Sequence, residues 1–111
     1  MKRNLFLLVI LAVTLASCVQ EKPIGKVIDN SLALCREQYT GMYDVMKDKP
    51  GLLPRTLDTA GVLVTAKSNW WTSGFFPGSL WYLYEYTNDQ KFRDAAADIT
   101  SRIEKEKNNK G

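Results

Sequence analysis

Nine of the twelve aromatic residues of this 111-residue chain fall between positions 70 and 92: Trp70, Trp71, Phe75, Phe76, Trp81, Tyr82, Tyr84, Tyr86 and Phe92. Each such side chain offers roughly 150–250 Å² of surface to bury. A segment this dense in rings must fold against other apolar elements or keep some rings as a binding surface. Its punctuation sets how it folds. Pro77 suits the first turn of a helix, where its missing N–H costs nothing, and Leu80, Leu83 and Tyr84 fall on the following turns. That helix should end near Thr87-Asn88, with Asp89 capping the next one. The second helix carries Phe92, Ala95, Ala96, Ile99 and Ile103 at helical spacing, and Lys105-Glu106-Lys107 in its last turn suits the negative end of the dipole. So short a connection predicts that the two helices pack antiparallel.

Upstream, Ile28, Leu32, Cys35, Tyr39, Met42 and Met46 follow one another at steps of three or four, one stripe of an amphipathic helix over about 25–48. Pro23 suits its start and Pro50-Gly51 its stop. Residues 49–69 lack helical period and are broken by Pro50, Gly51, Pro54 and Gly61, with only Leu52-Leu53 and Val62-Leu63-Val64 as short apolar runs. They read as a long ordered loop, strand-like or simply packed at those runs, and long loops in compact domains tend to be functional. The fold class expected is all-α.

The N-terminus has the layout of an export signal. Lys2 and Arg3 precede a nine-residue apolar core, Leu5 to Val13, too short to span a bilayer of ~30 Å. Leu15-Ala16-Ser17-Cys18 then matches a bacterial lipobox, whose small residues fit a peptidase and whose cysteine thiol takes up the lipid. Residues 1–17 read as a lipoprotein signal peptide, Cys18 as the lipidation site and residues 18–24 as a tether. The chain is thus expected to be exported and held on a membrane through lipid on Cys18. With no Asp directly after Cys18, the outer membrane or periplasm of a Gram-negative cell is favoured. With Cys18 acylated, Cys35 has no disulfide partner and reads as a small buried hydrophobe.

The leader also colours the composition. Without it, 94 residues remain, with 13 Lys+Arg against 12 Asp+Glu, so the basic balance gives no reason to expect nucleic acid as a partner. The absence of His and the presence of only two Cys exclude a His/Cys zinc site and any Ser-His-Asp or Cys-His relay. A carboxylate-only metal site stays formally open, but no calcium-loop pattern appears. No metal or cofactor is expected.

The most informative stretch is Asn69-Trp70-Trp71-Thr72-Ser73-Gly74-Phe75-Phe76-Pro77-Gly78. Pyranose rings have flat C–H faces, and tryptophans beside hydroxyls and turn-forming glycines can make a platform for them. The same rings could instead pack between helices or meet a helical protein partner. Together with Leu53-Pro54-Arg55-Thr56 and Leu80-Trp81-Tyr82-Leu83-Tyr84-Glu85-Tyr86-Thr87, this stretch resembles the start of an unsaturated glucuronyl hydrolase, glycoside hydrolase family 88. The resemblance covers roughly residues 25–111.

That resemblance implies an (α/α)6 toroid, six helical hairpins around a central cleft. The implied substrate is an oligosaccharide ending in a 4,5-unsaturated uronic acid left by a polysaccharide lyase. The implied reaction differs from hydrolysis by two carboxylates flanking the glycosidic bond. An Asp protonates the C4=C5 enol ether, water adds at C5, and the hemiketal opens to release the sugar, with no cofactor. Trp71 matches the tryptophan that lines the family's cleft and is the candidate substrate-binding residue. Gly74 nearby would leave room for a ligand. Adjacent residues of an ordered backbone do not both face one cleft, so Trp70 is expected to be structural. Arg55 lies in a matching loop motif and reads as a structural salt bridge.

The resemblance also places the catalytic Asp residues on later segments, beyond the stretch matching Glu104 to Gly111. Six hairpins need on the order of 200 residues or more. The expectation is therefore a partial toroid, its N-terminal hairpins only, in residues 25–111, with no catalytic residue in this chain. Among the carboxylates, Asp89 reads as a cap, Asp94 and Asp98 as like charges on one helix face, and Asp44 and Asp58 as partnerless. These, with Glu85, read as solvated surface groups. The competing readings are a small carbohydrate-binding lipoprotein that uses Trp70 and Trp71 without chemistry, and a helical partner-binding module.

Overall fold

The computed structural model describes residues 23–110. The expected signal peptide, Cys18 and most of the expected tether lie outside the described residues, as does Gly111. Helix α1 runs Ile24–Met46, strands β1 and β2 run Leu52–Leu57 and Leu63–Lys67, helices α2 and α3 run Phe75–Thr87 and Gln90–Ile103, and a 3₁₀ turn follows over Glu104–Asn108. None of the described helices is long and apolar enough to cross a membrane.

The two later helices form where the spacing places them, with α2 starting at Phe75, two residues before Pro77. Pro77 sits in the first turn, where no intrahelical donor is required. Asn88 ends α2 in the left-handed region (φ 53°), and the side chain of Asp89 accepts from Lys91 N at 3.1 Å to begin α3. The core is the seam between them: Phe76, Leu80 and Leu83 of α2 meet Phe92, Ala95, Ala96 and Ile99 of α3, with Met46 and Leu53 completing it. Helix α1 lies along this seam. Tyr39 stacks on Phe76 (centroids 5.8 Å apart) and the Tyr86 hydroxyl donates to Asp29 at 2.8 Å, so α1 runs opposite to α2. The contacts of Tyr43 with Asp98 and of Met46 with Arg102 make it run with α3.

These three helices are consistent with a partial (α/α)6 toroid. The loop expected over 49–69 is instead a two-stranded antiparallel hairpin, in the register Leu52↔Lys67, Leu53↔Ala66, Pro54↔Thr65, Thr56↔Val64 and Leu57↔Leu63. The pairing skips Arg55, a bulge beside Pro54, which has no N–H to give to a ladder. Asp58 closes the connection: one carboxylate oxygen accepts from Ala60 N (2.9 Å) and Val62 N (2.8 Å), and Gly61 supplies the positive φ of 79° that the turn requires. Leu53 is buried and Leu52 and Leu63 pack against the core, which anchors the hairpin to the helices.

Candidate saccharide-binding cleft

The hairpin and the helices enclose a cleft of about 280 Å³. Tyr39 and Met42 of α1, Pro54 to Leu57 of β1, Leu63 of β2, Thr72 of the following turn and Phe75 and Phe76 of α2 line it. Residues from both the Leu53–Thr56 run and the aromatic run therefore meet in one place. The approach to α2 is a chain of tight turns, with Trp70 N, Ser73 N and Phe75 N bonded to Lys67 O, Trp70 O and Thr72 O. This path presents the two tryptophans differently.

Trp71 is 74% exposed and is not among the lining residues; it meets the ring of Phe75, which does line the cleft, edge-to-face at 5.8 Å. Trp70 is half as exposed, at 38%, and carries the Arg55 guanidinium 4.3 Å from its ring centroid. Arg55 is thus not in a salt bridge: no carboxylate partners it among the described residues. The bulge takes Arg55 out of the ladder and lets it reach the ring. Gly74 is not required by crowding. Its φ is −78° and a Cβ there would meet nothing within 4 Å.

The carboxylates fall elsewhere, and several are more engaged than the sequence reading allows. Asp98 pairs with Arg102 at 2.7 Å and accepts from the Tyr43 hydroxyl at 3.2 Å. Burial first, then the charge and hydrogen bond of Asp98, push the Tyr43 hydroxyl above its ordinary pKa. Arg102 also donates to Met46 O, Lys47 O and Lys49 O at 2.8, 3.1 and 3.2 Å, closing the carbonyl end of α1. Asp44 pairs with Lys47 at 3.0 Å, and Asp58 holds the hairpin turn. Cys35 is half-buried rather than buried, a free thiol against the core. Ser68, buried and unremarked in the sequence, donates to Glu106 at 2.6 Å, and this bond above all lowers the Glu106 pKa. The Asp98/Arg102 spacing of four was a readable signal, whereas Ser68 and Glu106 are joined only by the fold. Among the described residues no three His, Cys, Asp or Glu side chains assemble as metal ligands.

Compared with models of protein families, the chain matches none. Against curated proteins it is 27% identical over 115 aligned positions to an unsaturated glucuronyl hydrolase of Formosa agariphila, across 98% of this chain and 29% of that protein. It is 40% identical over 43 residues to an unsaturated glucuronyl hydrolase of Bacillus sp. (strain GL1), across 39% of this chain and 11% of that one. A solved structure, an unsaturated glucuronyl hydrolase specific for heparin, superposes with a TM-score of 0.53 at 35% identity, over 60% of this chain and 17% of the other. The chain is a relative of the unsaturated glucuronyl hydrolases. It spans less than a third of the length of the curated glucuronyl hydrolases it matches.

Proposed function

We propose that this chain forms one part of an unsaturated glucuronyl hydrolase, the part that supplies an aromatic wall of the substrate cleft. In this reading Trp71 stacks on a sugar ring of an oligosaccharide that ends in a 4,5-unsaturated uronic acid. The observation that carries it is the exposed Trp71 ring set edge-to-face on Phe75, which lines the cleft together with Pro54, Arg55, Thr56, Thr72 and Phe76 of the family resemblance. The complete enzyme would remove the uronate by protonating the C4=C5 enol ether and adding water at C5. None of the residues lining this cleft is an Asp or Glu, so binding is the role proposed here and the proton donor would come from another segment. The alternative is that the same cleft, without chemistry, serves a carbohydrate-binding lipoprotein.

The test is a titration of the chain with an unsaturated uronyl disaccharide, followed by tryptophan fluorescence, together with an assay for loss of the C=C absorbance. Saturable quenching that Trp71→Ala abolishes, without turnover, is expected. Equal binding by the Trp71→Ala variant would overturn the role of Trp71, and steady turnover would overturn the division of labour. We further propose export and lipid attachment at Cys18, supported by the order of charge, apolar run and lipobox in residues 1–18. Cys18→Ala should abolish lipid labelling and leave the precursor uncleaved. Equal detergent partitioning of the two forms would refute it.

A further inference from the structure

Arg55 is the only charged residue among those lining the 280 Å³ cleft. Its guanidinium has neither an ion-pair nor a hydrogen-bond partner among the described residues. The contrast with Arg102 is direct, since that guanidinium is used up by one carboxylate and three carbonyls. Arg55 is nevertheless held in place. The bulge sets it out of the strand ladder, and the Trp70 ring supports it at 4.3 Å. A guanidinium resting on a ring can still offer the N–H groups at its rim, and a side chain already held loses less entropy when it captures a ligand. The surrounding lining is largely apolar and Thr72 adds a hydroxyl, while Arg55 itself is exposed and can be reached by a ligand from solvent.

We propose that Arg55 is the anion-recognition residue of this cleft, taking the carboxylate or sulfate of an acidic saccharide whose ring lies against Trp71. This rests on the saccharide reading of the cleft and adds to it the residue that recognises the ligand's charge. Planar bidentate pairing with an oxyanion is what a guanidinium provides and an ammonium does not.

The test uses the 111-residue chain and four probes: an unsulfated unsaturated uronyl disaccharide, galactose 6-sulfate, inorganic sulfate and the neutral disaccharide cellobiose. Binding is read by tryptophan fluorescence and by the Arg55 Nε–H NMR resonance. The indole N–H of Trp81, bonded to Thr100 Oγ1 at 3.1 Å, reports that each variant is folded. The uronyl disaccharide or the sulfated sugar should bind roughly tenfold tighter than cellobiose and shift the Arg55 resonance, the size of one charged hydrogen bond. Which of the two does so separates carboxylate from sulfate, and the inorganic ion tells whether the sugar is needed. Arg55→Gln should erase the preference and leave cellobiose binding unchanged. Arg55→Lys should recover only part of it, and this variant carries the test should the glutamine variant fail to fold. Equal binding of acidic and neutral sugars, or an Arg55 resonance that no acidic probe moves, overturns the proposal while leaving Trp71 stacking intact. The reverse pattern, an Arg55-dependent preference that survives Trp71→Ala unchanged, supports the anion site and defeats the stacking. If none of the four probes binds, both fall.

Discussion

Helices α1 and α3 carry apolar stripes of the same regularity, yet the two stripes meet different fates. In α3, Phe92, Ala95, Ala96 and Ile99 are all buried. In α1 only Met46, at the C-terminal end, is fully buried. Leu32, Cys35, Tyr39 and Met42 are half-buried, and Ile28 is 48% exposed. Periodicity therefore states which face needs cover, not whether cover is at hand. α3 finds it in the helix just before it in the chain, two residues away. α1 finds partial cover along the seam and full cover only at its last turn, where the hairpin and the later helices close over Met46.

The largest expected effect breaks this comparison at its stronger end. Phe92→Ala should destabilise the fold by about 3–5 kcal/mol, the cost of emptying a fully buried aromatic site. Ile28→Ala, on the equivalent stripe of α1, should stay within about 0.5 kcal/mol. Urea melts of both variants measure the gap, and equal losses would mean that α1 is covered in solution. Next comes the fastening of α1. Arg102→Met removes the ion pair to Asp98 and the donors to three carbonyls, and should cost about 2–3 kcal/mol, less than a wholly buried pair because Asp98 is partly solvated. Amide exchange should then speed up at the end of α1 more than in α3.

The tryptophans give a smaller contrast. Trp70→Ala should cost about 1 kcal/mol through the lost Arg55 contact, while Trp71→Ala should leave the melt nearly unchanged. If Trp71→Ala melts early and Trp70→Ala does not, their structural and ligand-facing roles are exchanged. The smallest effects are in pH. The Glu106 pKa is lowered chiefly by Ser68, so its contribution is present above the ordinary glutamate value and lost as pH falls through the lower folded value. Ser68→Ala should raise the Glu106 carboxyl titration toward the ordinary value in an NMR titration. Tyr43 has the opposite sign: its pKa is raised, so its contribution holds below the ordinary tyrosine value and is lost as pH climbs through the higher folded one. Tyr43→Phe should flatten that alkaline loss.

The helices were legible because their signals are local: a proline in a first turn, an Asn-Asp pair between two stripes, steps of three and four. The hairpin was not, because its strands are five and six residues long and the bulge at Arg55 breaks the alternation that would announce them. Pro54 argued against a strand and is tolerated only beside that bulge. The cleft was legible in part. Trp71 and Arg55 stand out by motif, but the reading of Arg55 as a salt bridge failed because its partner is a ring fifteen residues on. Tyr39 and Met42 were assigned to a core stripe, and only the return of β1 across α1 makes them a lining.

The clamp at the end of α1 also sets an order in time. The carbonyls of Met46, Lys47 and Lys49 wait for a side chain 53–56 residues later in the chain. A chain emerging from a ribosome exposes α1 before the later described helices, with its last turn open and its apolar stripe uncovered, until α3 has been made. The α2–α3 pair can form from its own neighbours as soon as residue 103 is free, because closing a two-residue turn costs little entropy. The first of the described helices to be synthesised is thus among the last to be secured, and the interval between the two events is when this chain is most open to a chaperone, or to another copy of itself.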